Sequence, residues 1–174
     1  KGCLMEFGDK LEMVALDGYR LALASAPILA KSGERSIICP ARTLSEIAKM
    51  LEKDDEEITL FAQGGMLLVS AEGTTVVSRL YQGDFIRKEN VIPSQFSTVV
   101  TLQKSELIAS AERAAILIRG DKNNLVTMAI DSDCVKVTSV SDFGNVDESV
   151  KAQVAGMEMT ISRNAKYLLG ALRA

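Results

Sequence analysis

A strand, a helix and three further strands follow one another along this chain, and then the same order begins again. Arg35 to Pro40 form an apolar strand-like run. It leads into a segment where Leu44, Ile47, Ala48 and Leu51 recur at i, i+3, i+4 and i+7, one face of a helix. Thr43 and Glu46 have the spacing of a capping box at its start. A charged loop, Lys53 to Glu57, ends it. Strand-like runs follow at Ile58 to Ala62, Met66 to Ala71 and Thr74 to Tyr81, with turns at Gly64-Gly65 and Glu72-Gly73.

The second round has a strand at Ser97 to Leu102 and a helical segment from Gln103 to Ile118, with Leu107, Ala111, Ala114 and Ile118 on one stripe. Its three closing strands are Leu125 to Ile130, Cys134 to Val140 and Val146 to Val154, with turns at Asp131-Ser132-Asp133 and Gly144-Asn145. A third round opens at Glu158 to Ser162, followed by a helix carrying Ala165, Leu168, Leu169 and Leu172. The matching strand positions Ile37, Val99 and Met159 are 62 and 60 residues apart, a fixed period that marks duplicated architecture.

The first residues fit as the tail of an earlier round: Leu4 to Phe7, Leu11 to Leu16 and Tyr19 to Ala26, with the hairpin dipeptide Asp17-Gly18 between the last two. The chain thus reads as three strands, two full βαβββ rounds, and one more strand and helix. The expected fold class is α+β, with antiparallel sheets covered on one face by helices. Lys1-Gly2 stand where a starting methionine would be, and both ends fall in mid-round. The expectation is a piece of something longer.

Composition narrows the chemistry. Histidine is absent from the 174 residues, which excludes histidine triads, histidine general bases and histidine-ligated zinc. Tryptophan is absent and aromatics make up 5%, too few for a binder that stacks single-stranded bases. Cys3, Cys39 and Cys134 are far apart with no CxxC spacing, and read as buried, reduced thiols of a cytoplasmic protein. No apolar run approaches the roughly 20 residues of a membrane span.

Charge is distributed by element. The net charge is −3, yet the segments Arg42 to Lys53, Lys104 to Arg119 and Arg163 to Arg173 carry +1, +1 and +3, leaving the strands and loops acidic. Arg42, Lys49 and Lys53 fall near one face of the first helix, away from the Leu44/Leu51 stripe, and Arg163, Lys166 and Arg173 are similarly placed on the third. Three repeated helices with one bias read as a mildly basic surface facing a polyanion. Without a dense cluster or a base-reading motif, such binding is weak, salt-sensitive and indifferent to sequence.

Several segments carry a family resemblance. Met13-Val14-Ala15-Leu16-Asp17-Gly18-Tyr19-Arg20-Leu21-Ala22 resembles the V-A-T-D-G-H-R-L-A signature of the bacterial DNA polymerase III beta subunit, the sliding clamp family. Leu80-Tyr81-Gln82-Gly83-Asp84-Phe85 with Val91-Ile92-Pro93 is similar to that family's L-x-D-G-x-[FY]-P-D-Y-x-x-[LV]-[IL]-P segment. Arg113 to Leu117 resembles R-A-x-[IL]-L, and Tyr167 to Leu172 resembles Y-[LMV]-[LM]-x-A-L. The matches run in collinear order over nearly the whole chain.

The resemblance implies a DNA-clamp fold, with residues 1–90 as most of a middle domain lacking its first strand and helix, and 91–174 as the first part of a C-terminal domain lacking three strands. It implies a bacterial, cytoplasmic, non-catalytic processivity factor. The full-length protein would be a homodimeric ring around duplex DNA, holding DNA polymerase III and clamp-loader subunits through short peptide motifs. No cofactor or metal is implied.

Its DNA-facing residues would be Arg42, Lys49, Lys53, Lys104, Arg113, Arg163, Lys166 and Arg173. Its peptide groove would use Leu16, Gly18, Tyr19, Arg20, Leu21, Ile86, Asn90 and Val91. Here Tyr19 replaces a common histidine, Leu16 a threonine, Ile86 a proline and Asn90 an arginine. Ile116 and Leu117 would help close the ring. On an ideal helix centred on Leu107, Ile116 falls opposite the buried stripe, and the other reading is a helix that ends before it.

Two further function classes stand beside the clamp. One is a peptide-binding adaptor with no role on DNA. The other is an enzyme working through paired carboxylates, for which Asp131 with Asp133 and the Asp54 to Glu57 cluster are candidates, both in turns where solvated acids are common.

Overall fold

The computed structural model describes residues 2–51, 57–71, 73–120 and 124–174. The chain divides into two compact units, one ending at Ile92 and one beginning at Pro93.

The first unit opens with β1 (Gly2–Phe7), β2 (Lys10–Leu16) and β3 (Leu21–Pro27), continues through β4 (Arg35–Pro40) and α1 (Ala41–Met50), and closes with β5 (Thr59–Gln63), β6 (Met66–Ala71) and β7 (Thr74–Arg79). Its sheets are antiparallel, one ordered β3-β2-β1-β4 and one β5-β6-β7. β4 pairs with β1 over six residues, from Gly2 opposite Pro40 to Phe7 opposite Arg35. Among the described residues its backbone pairs with its own round at the bridge between Ile38 and Tyr81. Alternation sends Met5, Ile37 and Cys39 inward, where Ile47 of α1 and Leu67 and Val69 of β6 complete the core.

The second unit holds β8 (Thr98–Leu102), α2 (Lys104–Leu117), β9 (Leu125–Ile130), β10 (Cys134–Ser141), β11 (Gly144–Gly156), β12 (Met159–Asn164) and α3 (Ala165–Leu172). Its sheet is ordered β12-β9-β10-β11-β8. Hence β12 joins β9 as β4 joins β1, and β11-β10-β9-β12 repeats β3-β2-β1-β4. The copies share one topology. Leu107 and Ala114 of α2, with Ile118 beyond its end, pack on Val126, Met128, Val135, Val137 and Val150. The buried Ser139 hydroxyl donates to the Ala114 carbonyl at 3.0 Å and ties α2 to β10. Gly156 ends β11 at a φ of +122°, where an added Cβ would lie 2.1 Å from the Ser97 carbonyl oxygen. Only glycine lets the chain pass so close.

The sequence period is right, but its phase is wrong by a residue or two. The residues that begin the helices' hydrogen-bonded turns are Pro40, Gln103 and Asn164. Counting three back gives Ile37, Val100 and Ile161, which all pack on a core. Val99 is 55% exposed and Met159 38% exposed. A one-residue slip in a strand turns a side chain to the opposite face.

Two local readings also change. The Thr43/Glu46 capping box does not form, because α1 begins directly after Pro40. The Thr43 hydroxyl instead meets that of Ser78 at 2.8 Å, and Glu46 pairs with Lys49 at 2.9 Å. Ala48, placed on the apolar stripe, is exposed. Cys3 and Cys39 are buried and free, with burial and then Cys3 pushing the Cys39 thiol up to about 11, whereas Cys134 is only half-buried. No helix among the described residues is long and apolar enough to cross a membrane.

Ile116 and Ile118 lie two residues apart with opposite environments, 72% and 2% exposed. Ile118→Ala is expected to destabilise the chain by about 3 kcal/mol, since it removes three carbons from a closed core. Ile116→Ala should stay within about 0.5 kcal/mol. Urea unfolding midpoints of the two variants check this.

Candidate functional site

The β2–β3 hairpin is organised by one carboxylate. Asp17 Oδ1 accepts from the backbone N–H groups of Tyr19, at 3.1 Å, and Arg20, at 3.0 Å. Its Oδ2 accepts from Arg20 Nε at 3.1 Å and Nη2 at 2.6 Å. Gly18 takes the positive φ of +88° that the turn needs. The guanidinium of Arg20 first, and then the two backbone N–H groups, lower the Asp17 carboxyl to about 2. Capture of both amides moves the start of β3 to Leu21, where the sequence placed it at Tyr19. Leu16 and Leu21 become the closing pair of the ladder.

A second segment of the first unit is tied to the same sheet. Lys88–Asn90 forms a single 3-10 turn, and the Lys88 carbonyl accepts from Val91 N at 3.0 Å and Ile92 N at 2.9 Å. The Lys88 ammonium donates to Glu12 Oε2 and stands 3.8 Å from Glu6 Oε2, while Lys10 holds the other Glu12 oxygen at 2.9 Å. Glu6 and Glu12 are directly opposite across β1 and β2. Lys88, then Lys10, lowers the Glu12 carboxyl below its ordinary value, and Glu12 in turn raises Lys88.

Alternation along β2 puts Glu12 on the same face as Leu16. The structure therefore brings Leu16 and Leu21 to the face that anchors the segment carrying Ile86, Asn90 and Val91, with Gly18, Tyr19 and Arg20 at the turn that ends it. Tyr19, Ile86 and Val91 are exposed apolar side chains. A cavity of about 690 Å³ opens nearby, lined by Leu4, Glu6, Ile38, Tyr81, Phe85 and Lys88 among others; none of the eight groove residues lines it.

The basic residues are less uniform than their count. Arg42 and Lys166 are exposed on α1 and α3. Lys49 pairs with Glu46 within its helix. Arg113 of α2 makes a two-pronged bond to Glu148 of β11, at 2.5 and 2.6 Å, which raises the arginine and lowers the carboxyl. Arg173, one residue past α3, meets Glu112 of α2 at 2.5 Å. Lys104 is exposed, with Nζ 3.3 Å from the Ala174 carbonyl oxygen. Arg163 lies on β12 rather than on a helix and donates to the Ser162 carbonyl. Lys53 lies outside the described residues, as do residues 54–56 of the acidic cluster; Glu57 is exposed. Asp131 and Asp133 are exposed, with Asp131 Oδ1 accepting from Ser132 N at 2.9 Å, the role of a turn acid.

Residues 2–86 match the family model for the central domain of the DNA polymerase III beta subunit, and residues 89–174 match that for its C-terminal domain. The chain belongs to the DNA polymerase III beta subunit family. The beta sliding clamp of Staphylococcus aureus strain Mu50 is 28% identical over 168 residues, which are 95% of this chain and 45% of the relative. A putative DNA polymerase III beta subunit of Eubacterium rectale superposes with a TM-score of 0.93 at 28% identity, covering 99% of this chain and 47% of that one. The DNA polymerase sliding clamp of Bacillus subtilis gives 0.91 at 27%, with 99% and 47% covered. A Pseudomonas aeruginosa sliding clamp bound to griselimycin gives 0.89 at 27%, with the same coverage. The chain thus spans about half the length of the relatives it matches.

Two features of this beta-subunit chain escape a reading of the sequence. One is Lys88, whose anchoring role depends on Glu6 and Glu12 facing each other, a matter of register. The other is the pairing of Arg113 and Arg173 with carboxylates 35 and 61 residues away in sequence. Ile116 stays exposed on the last turn of α2, and Leu117 is half-buried beside it.

The Asp17 carboxyl is lowered in the folded chain, so its support of the turn is complete above the ordinary value of 3.8 and is lost as pH falls through about 2. A carboxyl-carbon NMR titration should find its midpoint near 2, and Arg20→Ala should move that midpoint up toward 3.8.

Proposed function

We propose that this chain is the part of a bacterial, cytoplasmic sliding clamp that offers a basic helical surface to duplex DNA and a peptide groove to replication proteins. In the full-length protein it acts without catalysis, as a processivity factor that encircles the duplex as a homodimeric ring and slides. Residues 1–90 would then be middle domain and 91–174 C-terminal domain. The observation that carries this reading is the collinear match of both halves to beta-subunit domains, joined to a fold that repeats one strand-helix-strand topology.

The geometry suits sliding. Positive side chains such as Arg42 and Lys166 attract phosphates, while nothing among the named basic residues forms a base-reading set, so no register along the duplex is favoured. Arg113, Arg173 and Lys49 are partly neutralised by their carboxylates, which keeps the attraction shallow. Lys104, Arg163 and Lys53 complete the proposed DNA-facing set. Holding then comes from the ring, and the polymerase stays near its template through effective concentration.

The groove would lie along Leu16, Gly18, Tyr19, Arg20, Leu21, Ile86, Asn90 and Val91, and accept short apolar motifs from DNA polymerase III and clamp-loader subunits. The griselimycin-bound relative supports a ligand site in this family. Ile116 and Leu117 would serve the ring interface.

Duplex binding by this chain should be weak and independent of sequence. Replacing Arg42 and Lys166 together by alanine should flatten the slope of log affinity against log salt by about 2. In the full-length protein, circular duplex should be retained and linear duplex lost. Equal loss of both, with a glutamine-, leucine- and phenylalanine-rich peptide still bound, would mark a peptide adaptor instead.

A further inference from the structure

The outer face of the β3-β2-β1-β4 sheet carries an arrangement that needs a cation. Strand register sets Ser36, Glu6, Glu12 and Ser25 in one row across the four strands, with Glu6 and Glu12 as direct cross-strand neighbours. Like charges placed so are destabilising. Lys10 lies on β2 itself and reaches only the far oxygen of Glu12. The charge that meets both carboxylates arrives from outside the sheet, on Lys88. All three side chains of that contact are partly covered: Lys88 23% exposed, Glu12 20% and Glu6 44%. The pair is thus less screened than a fully solvated bridge.

Lys88 is also the residue around which its own segment folds. Its carbonyl accepts from both Val91 and Ile92, and Asn90 closes on Arg87 at 3.1 Å. Fixing the Lys88 side chain therefore fixes Asn90 and Val91 by way of one short turn. Two rows further along the same face of β2 stand Leu16 and its partner Leu21. One ammonium group joins two stretches of chain that are 76 residues apart in sequence.

We propose that Lys88 is a positioning residue for the peptide groove: by bridging Glu12 and Glu6 it holds the turn bearing Asn90 and Val91 against the face bearing Leu16 and Leu21. This rests on the groove reading above. Lys88 need not touch the peptide. It acts by keeping the binding-competent arrangement populated, so that loss of the bridge lowers apparent affinity by the fraction of molecules released.

The experiment has two readouts, which fail separately. In the 174-residue chain, backbone amide NMR of Asn90, Val91 and Ile92 reports positioning without any ligand. Fluorescence anisotropy with a labelled glutamine-, leucine- and phenylalanine-rich peptide reports the groove. Lys88→Met keeps the aliphatic stem and removes the charge. It should shift and broaden those three amides, leave those of Tyr19 and Arg20 in place, and weaken the peptide about fivefold. Exchanging the charges, with Lys88→Glu and Glu12→Lys together, should recover most of the loss, which a role in packing alone would not allow.

Unchanged amides and unchanged affinity in Lys88→Met would overturn the inference. So would a charge exchange no better than Lys88→Met in a variant that melts like the parent. If the parent chain binds no peptide while Lys88→Met still releases the three amides, the positioning role stands and the groove reading falls.

Discussion

The structure depends on the register between the opening strand of one round and the first sheet strand of the round before it. In the first unit this is the β1–β4 ladder, and in the second the β9–β12 ladder, each six residues long. Because side chains alternate along a strand, this register decides which residues face a helix and which face outward. Met5, Ile37 and Cys39 become core, and Leu4, Glu6 and Ile38 become the outer surface. Displacing β4 by one residue would bury Ser36 and expose Ile37, and the core under α1 would be lost.

The same register creates an electrostatic problem on the outer face, since it sets Glu6 opposite Glu12. Lys88 resolves it from a distant part of the chain, and in doing so fixes the path of the segment that follows β7. The hairpin end of that sheet is built by the opposite economy: one carboxylate, Asp17, holds the amides and the guanidinium of its own turn. One half of the candidate groove is therefore set by local hydrogen bonds and the other by a long-range ion pair. Each includes an ion pair that salt screens, and the Arg20–Asp17 pair is the more exposed of the two.

The order of elements was legible because it rests on period. Helical spacing at Leu107, Ala111, Ala114 and Ile118, and alternation in Cys134 to Val140, are local patterns that tertiary structure did not override. Phase was harder. Val99 and Val100 are equally good strand residues, and only the start of α2 after Gln103 tells which faces inward. The Thr43/Glu46 spacing failed for a related reason: Pro40 already fixes the backbone at the helix start, so Thr43 is free to bond Ser78. Charge was the least legible quantity. Counting cations per helix cannot show that Arg113 reaches Glu148 on a strand or that Arg173 reaches Glu112 on a neighbouring helix. The eight proposed groove positions come from the resemblance, and the structure adds that Lys88 ties the segment carrying Ile86, Asn90 and Val91 to the sheet that carries Leu16 and Leu21.

Strand sharing has a consequence for how such an array can change length. β4 and β12 each complete the sheet of the preceding round, whereas β8 finds its partner, β11, inside its own round. Among the described residues, borrowing therefore occurs at the junctions that open β4 and β12 and not at the one that opens β8. Deleting a single round would leave one sheet with a bare edge and one strand without a neighbour, two rows of unpaired amides and carbonyls open to aggregation. Gain or loss in even steps keeps each borrowed ladder, β1–β4 or β9–β12, together. What was duplicated in the sequence is the round of about 60 residues, but what can be inherited intact is the pair.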